Sequence, residues 1–149
     1  MTPELAQTLA MAAERAADAV EPWWIIGSAA VLLHGGHVGR VKDVDLLMSA
    51  SDADAFLRRA GVSARGGEAS DRFRSKIFGN WAGPPVPVEV FGGFEAKVGG
   101  VWREVQLTSR DPVSVGGAQV FVPSVPELIR LLNSFGRPKD LDRVLLLQR

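Results

Sequence analysis

Residues 41–48 read Val41-Lys42-Asp43-Val44-Asp45-Leu46-Leu47-Met48, charged and apolar by turns as far as Leu46 and wholly apolar after it. Alternation at period two predicts a strand, and the apolar finish predicts an interior one whose carboxylates emerge at one end. In a strand, residues two apart project from the same face, which brings the Asp43 and Asp45 carboxylates within reach of one cation. Two further Asp-x-Asp pairs, Asp52/Asp54 and Asp140/Asp142, fall in segments of helical character. There, residues two apart point roughly 200° from each other, so neither pair easily shares an ion. A third acid, Glu89, stands in a second apolar run, Val88-Glu89-Val90. Like charges held close repel unless divalent cations neutralise them, and three strand-borne carboxylates suit magnesium, a hard, oxygen-seeking ion.

Upstream, Thr2 is placed to cap a helix that begins at Pro3, carries Glu4 in its first turn and continues through an Ala-rich stretch to about Val20. Trp23 to Ile26 form a short bulky run that reads as a buried strand, ended by Gly27. Ser28 then caps a second helix through Leu33. A glycine between strand and helix lets backbone approach a ligand closely, and the helix start offers unpaired N–H groups to phosphate. After residues 41–48, Ser51 with Asp54 resembles a capping box opening a helix to Gly61. The predicted order of the first half is helix, strand, helix, strand, helix.

The second half changes character. Gly99-Gly100 and Gly116-Gly117 each separate two β-rich runs, the signature of hairpins, and Pro87 marks an edge, a bulge or a strand start before Glu89. Ser124 and Pro126 open a helix that Gly136 stops, and Pro138 starts another. The whole reads as an α/β (α+β) chain, a mixed twisted sheet flanked by helices, with a β-hairpin extension and a C-terminal helix pair.

Composition bounds what such a fold does. The chain has 149 residues, 17 Lys and Arg against 17 Asp and Glu, no cysteine and 46% hydrophobic residues, which predicts one domain over residues 1–149 with a real core. A balance of charge removes the footprint of a protein that grips nucleic acid mainly through many phosphates. Without cysteine there is no disulfide framework, thiolate zinc site or cysteine nucleophile, as suits the cytoplasm. The charged opening segment reads as neither signal peptide nor membrane span.

Taken together, the segments Ile25-Ile26-Gly27-Ser28, Val41-Lys42-Asp43-Val44-Asp45-Leu46 and Val88-Glu89-Val90 resemble the nucleotidyltransferase superfamily of the polymerase β type, particularly its small stand-alone members. One subgroup reads G-[GS]-x-A-x-x-x-H-G, echoed by Gly27 to Gly35. It also tends to carry an arginine just before the Asp pair, matched by Arg40, and a late Arg-x-Lys-Asp, matched by Arg137-Pro138-Lys139-Asp140. The resemblance runs from Trp23 to about Leu147. Where relatives have Thr or Ser before the first Asp, this chain has Lys42.

The resemblance implies a transfer of a nucleoside monophosphate from a nucleoside triphosphate such as ATP to a hydroxyl, with release of pyrophosphate. Asp43 and Asp45 would ligate one or two magnesium ions, Gly27 and Ser28 would hold the β and γ phosphates, and Glu89 would serve as third ligand or general base. Arg40 and Lys139 would reach phosphate. A small-molecule acceptor fits the neutral charge better than tRNA or protein. The alternative is a non-catalytic nucleotide-binding or partner-binding module of the same fold, such as one component of a toxin-antitoxin pair. Among the remaining candidates, Arg74 and Lys76 alternate on an expected strand, where they would meet a triphosphate or an acidic acceptor or simply line an exposed β face. His34 and His37 read as structural or rim residues, and the tryptophans as core.

Overall fold

The computed structural model describes residues 1–65 and 70–148. Helix α1 (Pro3–Ala16) is capped by the Thr2 hydroxyl, which accepts the Leu5 N–H at 3.2 Å, and buries Leu5, Leu9, Ala12 and Ala16. It ends four residues short of Val20. The reason is tertiary: the buried Asp52 carboxylate accepts the backbone N–H groups of Val20 at 3.0 Å and Glu21 at 2.8 Å, drawing the connector out of helical geometry despite its alanines. Burial alone would raise the Asp52 pKa, but the donors from Val20, Glu21 and Ser49 outweigh it and hold the carboxyl below its ordinary value. That contribution to stability is therefore present above the ordinary carboxylate range and lost as pH falls. Asp52→Ala, which strands both backbone donors, is expected to cost about 2 kcal/mol in chemical denaturation; an unchanged midpoint would remove this role.

Strand β1 (Trp24–Ile26) leads into helix α2 (Gly27–Leu33), then strand β2 (Val44–Met48) into helix α3 (Ala50–Arg59). Three boundaries differ from the sequence reading. Ser28 lies inside α2 and makes no cap, the helix starting at Gly27 with no side-chain hydrogen bond at its N-cap. Strand β2 begins at Val44, so Asp43 stands just before it. The cap of α3 is Ser49, whose hydroxyl accepts the Asp52 N–H at 3.1 Å, because the chain turns directly off the end of β2.

The second half contributes β3 (Phe73–Arg74), β4 (Ile77–Trp81), β5 (Val88–Gly92), β6 (Glu95–Val98), β7 (Val101–Glu104), β8 (Asp111–Val115), β9 (Ala118–Val122), α4 (Val125–Phe135) and α5 (Pro138–Leu147). Both Gly-Gly pairs form the expected hairpin turns, β6 to β7 and β8 to β9, with positive φ at every glycine. Only residues without a Cβ take that geometry cheaply at both central positions. The four-stranded sheet runs β1-β2-β5-β4, with β2 and β5 parallel and both outer pairs antiparallel.

Val44, Leu46, Val88 and Val90 are fully buried at the centre of this mixed sheet, with α2 packed on β1 and β2 and α3 on β4 and β5. Helix α1 lies against β9, and α5 against α4 and α2. His34 is structural, its Nε2 standing 2.7 Å from the Pro123 carbonyl and so tying the end of α2 to the approach of α4. Among the described residues no helix is long and apolar enough to cross a membrane.

Candidate active site

Where β1 ends and the parallel strands β2 and β5 begin, a cleft of about 600 Å³ opens against α2 and α5. The sheet register builds it. Ile26, Asp45 and Glu89 are partners across three adjacent strands, so the Asp45 and Glu89 side chains leave the same face next to one another. Asp43, immediately before β2, also lines the cleft.

Gly27 makes room for this arrangement. Its φ of +68° is in the left-handed region, and a Cβ there would lie 2.5 Å from Asp45 Oδ2. Any other residue would collide with the carboxylate and strain the turn together. Ser28, Arg40 and Lys139 complete the set, so Gly27, Ser28, Arg40, Asp43, Asp45, Glu89 and Lys139 all line one cleft. Lys42, where the resemblance departs, lines it as well, and His37 stands on its rim.

Several acids of this chain serve the fold. Asp52 and Glu127 clasp backbone N–H groups, Asp54 pairs with Arg58, Glu95 with Arg74, and Asp140 with Arg137 and Arg143. No hydrogen bond or ion pair among the described residues engages Asp43, Asp45 or Glu89. Burial first, then the charges of Glu89 and Asp43, push the Asp45 pKa up to about 7, against the opposing pull of Arg143 and Lys139. Burial and then Asp43 likewise raise Glu89, opposed by Lys139. These carboxylates are confined together without a structural partner, at a cost to the fold.

No three acidic or histidine side chains among the described residues are drawn together as a formed metal shell. The fit to a divalent cation rests instead on the chemistry of the donors: hard oxygens whose mutual repulsion a cation would relieve, beside a turn whose backbone is bare. The other Asp pairs do not compete. Asp52 and Asp54 lie away from the cleft, and Asp140 is fully buried between two arginines while Asp142 is exposed at the rim.

Arg74 and Lys76 are not part of the cleft. Arg74 binds Glu95 at 3.0 Å and lies over the Trp102 ring. Two features escaped the sequence reading. Arg143 faces Asp45 electrostatically, and its signal was its spacing, three residues after Asp140 and four after Lys139 on one helix face. The other is a wall of phenylalanines, Phe73, Phe91, Phe94 and Phe135, assembled from separate elements.

No protein-family model matches the sequence, and no curated protein matches it. Solved structures do. A candidate nucleotidyltransferase from Thermotoga maritima superposes with a TM-score of 0.78 at 22% identity, covering 100% of this chain and 96% of that one. The antibiotic-resistance factor ANT(2'')-Ia, in complex with adenylyl-2''-tobramycin, gives a TM-score of 0.57 at 15% identity, over 99% of this chain and 88% of its own. The lincosamide antibiotic adenylyltransferase LnuA, with lincomycin bound, gives 0.53 at 10% identity over 85% of each chain. At such identities the likeness is one of fold, and the fold of this chain is that of the nucleotidyltransferases.

Proposed function

We propose that this protein is a magnesium-dependent nucleotidyltransferase that moves a nucleoside monophosphate from a nucleoside triphosphate, such as ATP, to a hydroxyl of a small molecule in the cytoplasm. The observation that carries the reading is that Asp43, Asp45 and Glu89, none of whose side chains has a hydrogen bond or ion pair among the described residues, share a cleft in which burial and mutual repulsion raise the carboxyls of Asp45 and Glu89.

In this reading Asp43 and Asp45 hold one or two magnesium ions, with Glu89 as third ligand or general base. Bound there, magnesium supplies neutralisation of phosphate charge and a lowered pKa for the attacking hydroxyl. The chain's own groups do the rest. Gly27 brings bare backbone and Ser28 a hydroxyl to the β and γ phosphates, while Arg40 and Lys139 offset their charge. The acceptor oxygen bonds to the α phosphorus as the bond to pyrophosphate breaks, and the hydroxyl proton passes to the Glu89 carboxylate where it acts as base. Lys139 and Arg143, which oppose the negative charge around Asp45, keep that charge bearable before substrate arrives.

The test is incubation with α-labelled nucleoside triphosphates, magnesium and a cell extract separated into small-molecule, RNA and protein fractions. Label is expected in the small-molecule fraction, with pyrophosphate released and both lost on chelation. Magnesium-dependent binding of triphosphates with no labelled product in any fraction would favour the non-catalytic module. No effect of magnesium and triphosphate on the melting temperature would overturn the reading altogether, since a ligand that binds the folded state raises it by mass action.

A further inference from the structure

Across the sheet, Gly27 follows β1, Asp45 stands on β2 and Glu89 on β5, so the proposed phosphate end and the proposed base lie on opposite sides of Asp45. Phosphoryl transfer places attacking and leaving oxygens roughly in line. With pyrophosphate leaving on the Gly27 side, the acceptor enters from the side of Glu89. Phe91 is two residues beyond Glu89 on the same strand, hence on the same face, and it lines the cleft.

Phe91 is the start of a connected aromatic surface. Its ring lies 5.2 Å from that of Phe94, Phe94 stacks on Phe73 at 5.6 Å with 24° between planes, and Phe135 stands edge-on to Phe73 at 4.9 Å. Phe94 and Phe135 are buried and fix the surface, whereas Phe73 and Phe91 are only half-buried and lend it to the cleft. The Arg137 guanidinium is seated on it, 4.8 Å from the Phe73 ring centre, with its charge paired at 2.7 Å to the fully buried Asp140. Such a wall offers stacking area to a flat apolar group.

We infer that the Phe73–Phe91 wall is the acceptor subsite, and that the acceptor carries its hydroxyl on a planar apolar body. The inference deepens the nucleotidyltransferase reading above, and rests on it for the word acceptor.

Two measurements keep the ideas separable. Fluorescence titration of the full chain with 2-naphthylmethanol, without nucleotide, is expected to show saturable binding, weakened about tenfold in Phe91→Leu, which keeps apolar bulk but removes the ring. With magnesium and ATP, the same variant should raise KM for the naphthyl alcohol and leave KM for ATP in place. Absence of saturable binding, or equal binding by Phe91→Leu, overturns the subsite. A rise in KM for ATP instead assigns the wall to the nucleobase and also overturns it. Binding of the alcohol without transfer to it, in a protein whose melting temperature ignores magnesium and ATP, sinks the nucleotidyltransferase reading and the word acceptor with it. If Phe91→Leu fails to fold, Phe73→Leu carries the same comparison from a different strand.

Discussion

Asp45→Asn is expected to lose turnover by about a thousandfold or more and, at the same time, to melt at a higher temperature than the native protein at about pH 8. Both effects come from one charge. The amide keeps the shape of the side chain beside Gly27 but supplies no negative oxygen to a magnesium ion. In the native protein the carboxyl of Asp45 is raised from 3.8 to about 7 by burial, Glu89 and Asp43, so between those values the folded state holds a proton that the unfolded chain has released. Stability therefore falls as pH rises through that window and stays low above it. At about 1.4 kcal/mol per unit, the penalty above neutrality is on the order of 2–4 kcal/mol, which the neutral amide removes, or roughly 5–10 °C in melting temperature for a domain of this size. The gap should shrink on acidification and vanish near pH 4. Adding magnesium and triphosphate should stabilise the native protein and not the variant. Thermal scans across pH, with and without magnesium, read all of this together. A variant that keeps full turnover, or that melts lower at alkaline pH, would sink the assignment.

Such a trade of stability for a charged site explains why some of this protein was legible in its residues and some was not. Strand β2, the glycine-paired hairpins and the last two helices, bounded by Ser124, Gly136 and Pro138, are written in local chemistry: alternation, turns that need positive φ, caps and stops. Boundaries set by distant partners were not. No local signal tells that Asp52 takes the amides of Val20 and Glu21, so α1 was expected to run on past Ala16. Nor does spacing choose between Ser49 and Ser51 as the cap of α3, a choice made by where β2 ends.

The candidate site divides in the same way. Asp43 and Asp45 could be grouped by their period of two, and Gly27 and Glu89 joined them through the resemblance; the sheet register then sets Ile26, Asp45 and Glu89 in a row, with Gly27 next after Ile26. Phe73, Phe91, Phe94 and Phe135 could not, since β3, β5, the turn after β5 and the end of α4 share no sequence period and meet only once the chain has folded.

Asp140 joins these two kinds of information, and its removal is the larger structural test. Its carboxylate is fully buried and accepts the Arg137 backbone N–H at 3.2 Å, closing the first turn of α5. It also binds the Arg137 guanidinium through Nε at 2.7 Å and Nη2 at 3.0 Å, and stands 3.7 Å from Arg143. Breaking a buried pair by removing one partner typically costs about 3–5 kcal/mol. Both arginines are partly exposed here and can rehydrate, which lowers the expected loss for Asp140→Ala to roughly 2–4 kcal/mol, read as a drop in the denaturation midpoint. Asp140→Asn, which keeps volume and an acceptor for the helix cap, should lose about half as much. The consequence reaches the cleft. Arg137 would no longer be fixed over Phe73, and Lys139 and Arg143, on the same helix, would lose the anchor that aims them at Asp45. An Asp140→Ala protein with an unchanged midpoint would mean that α5 is held by its apolar face alone.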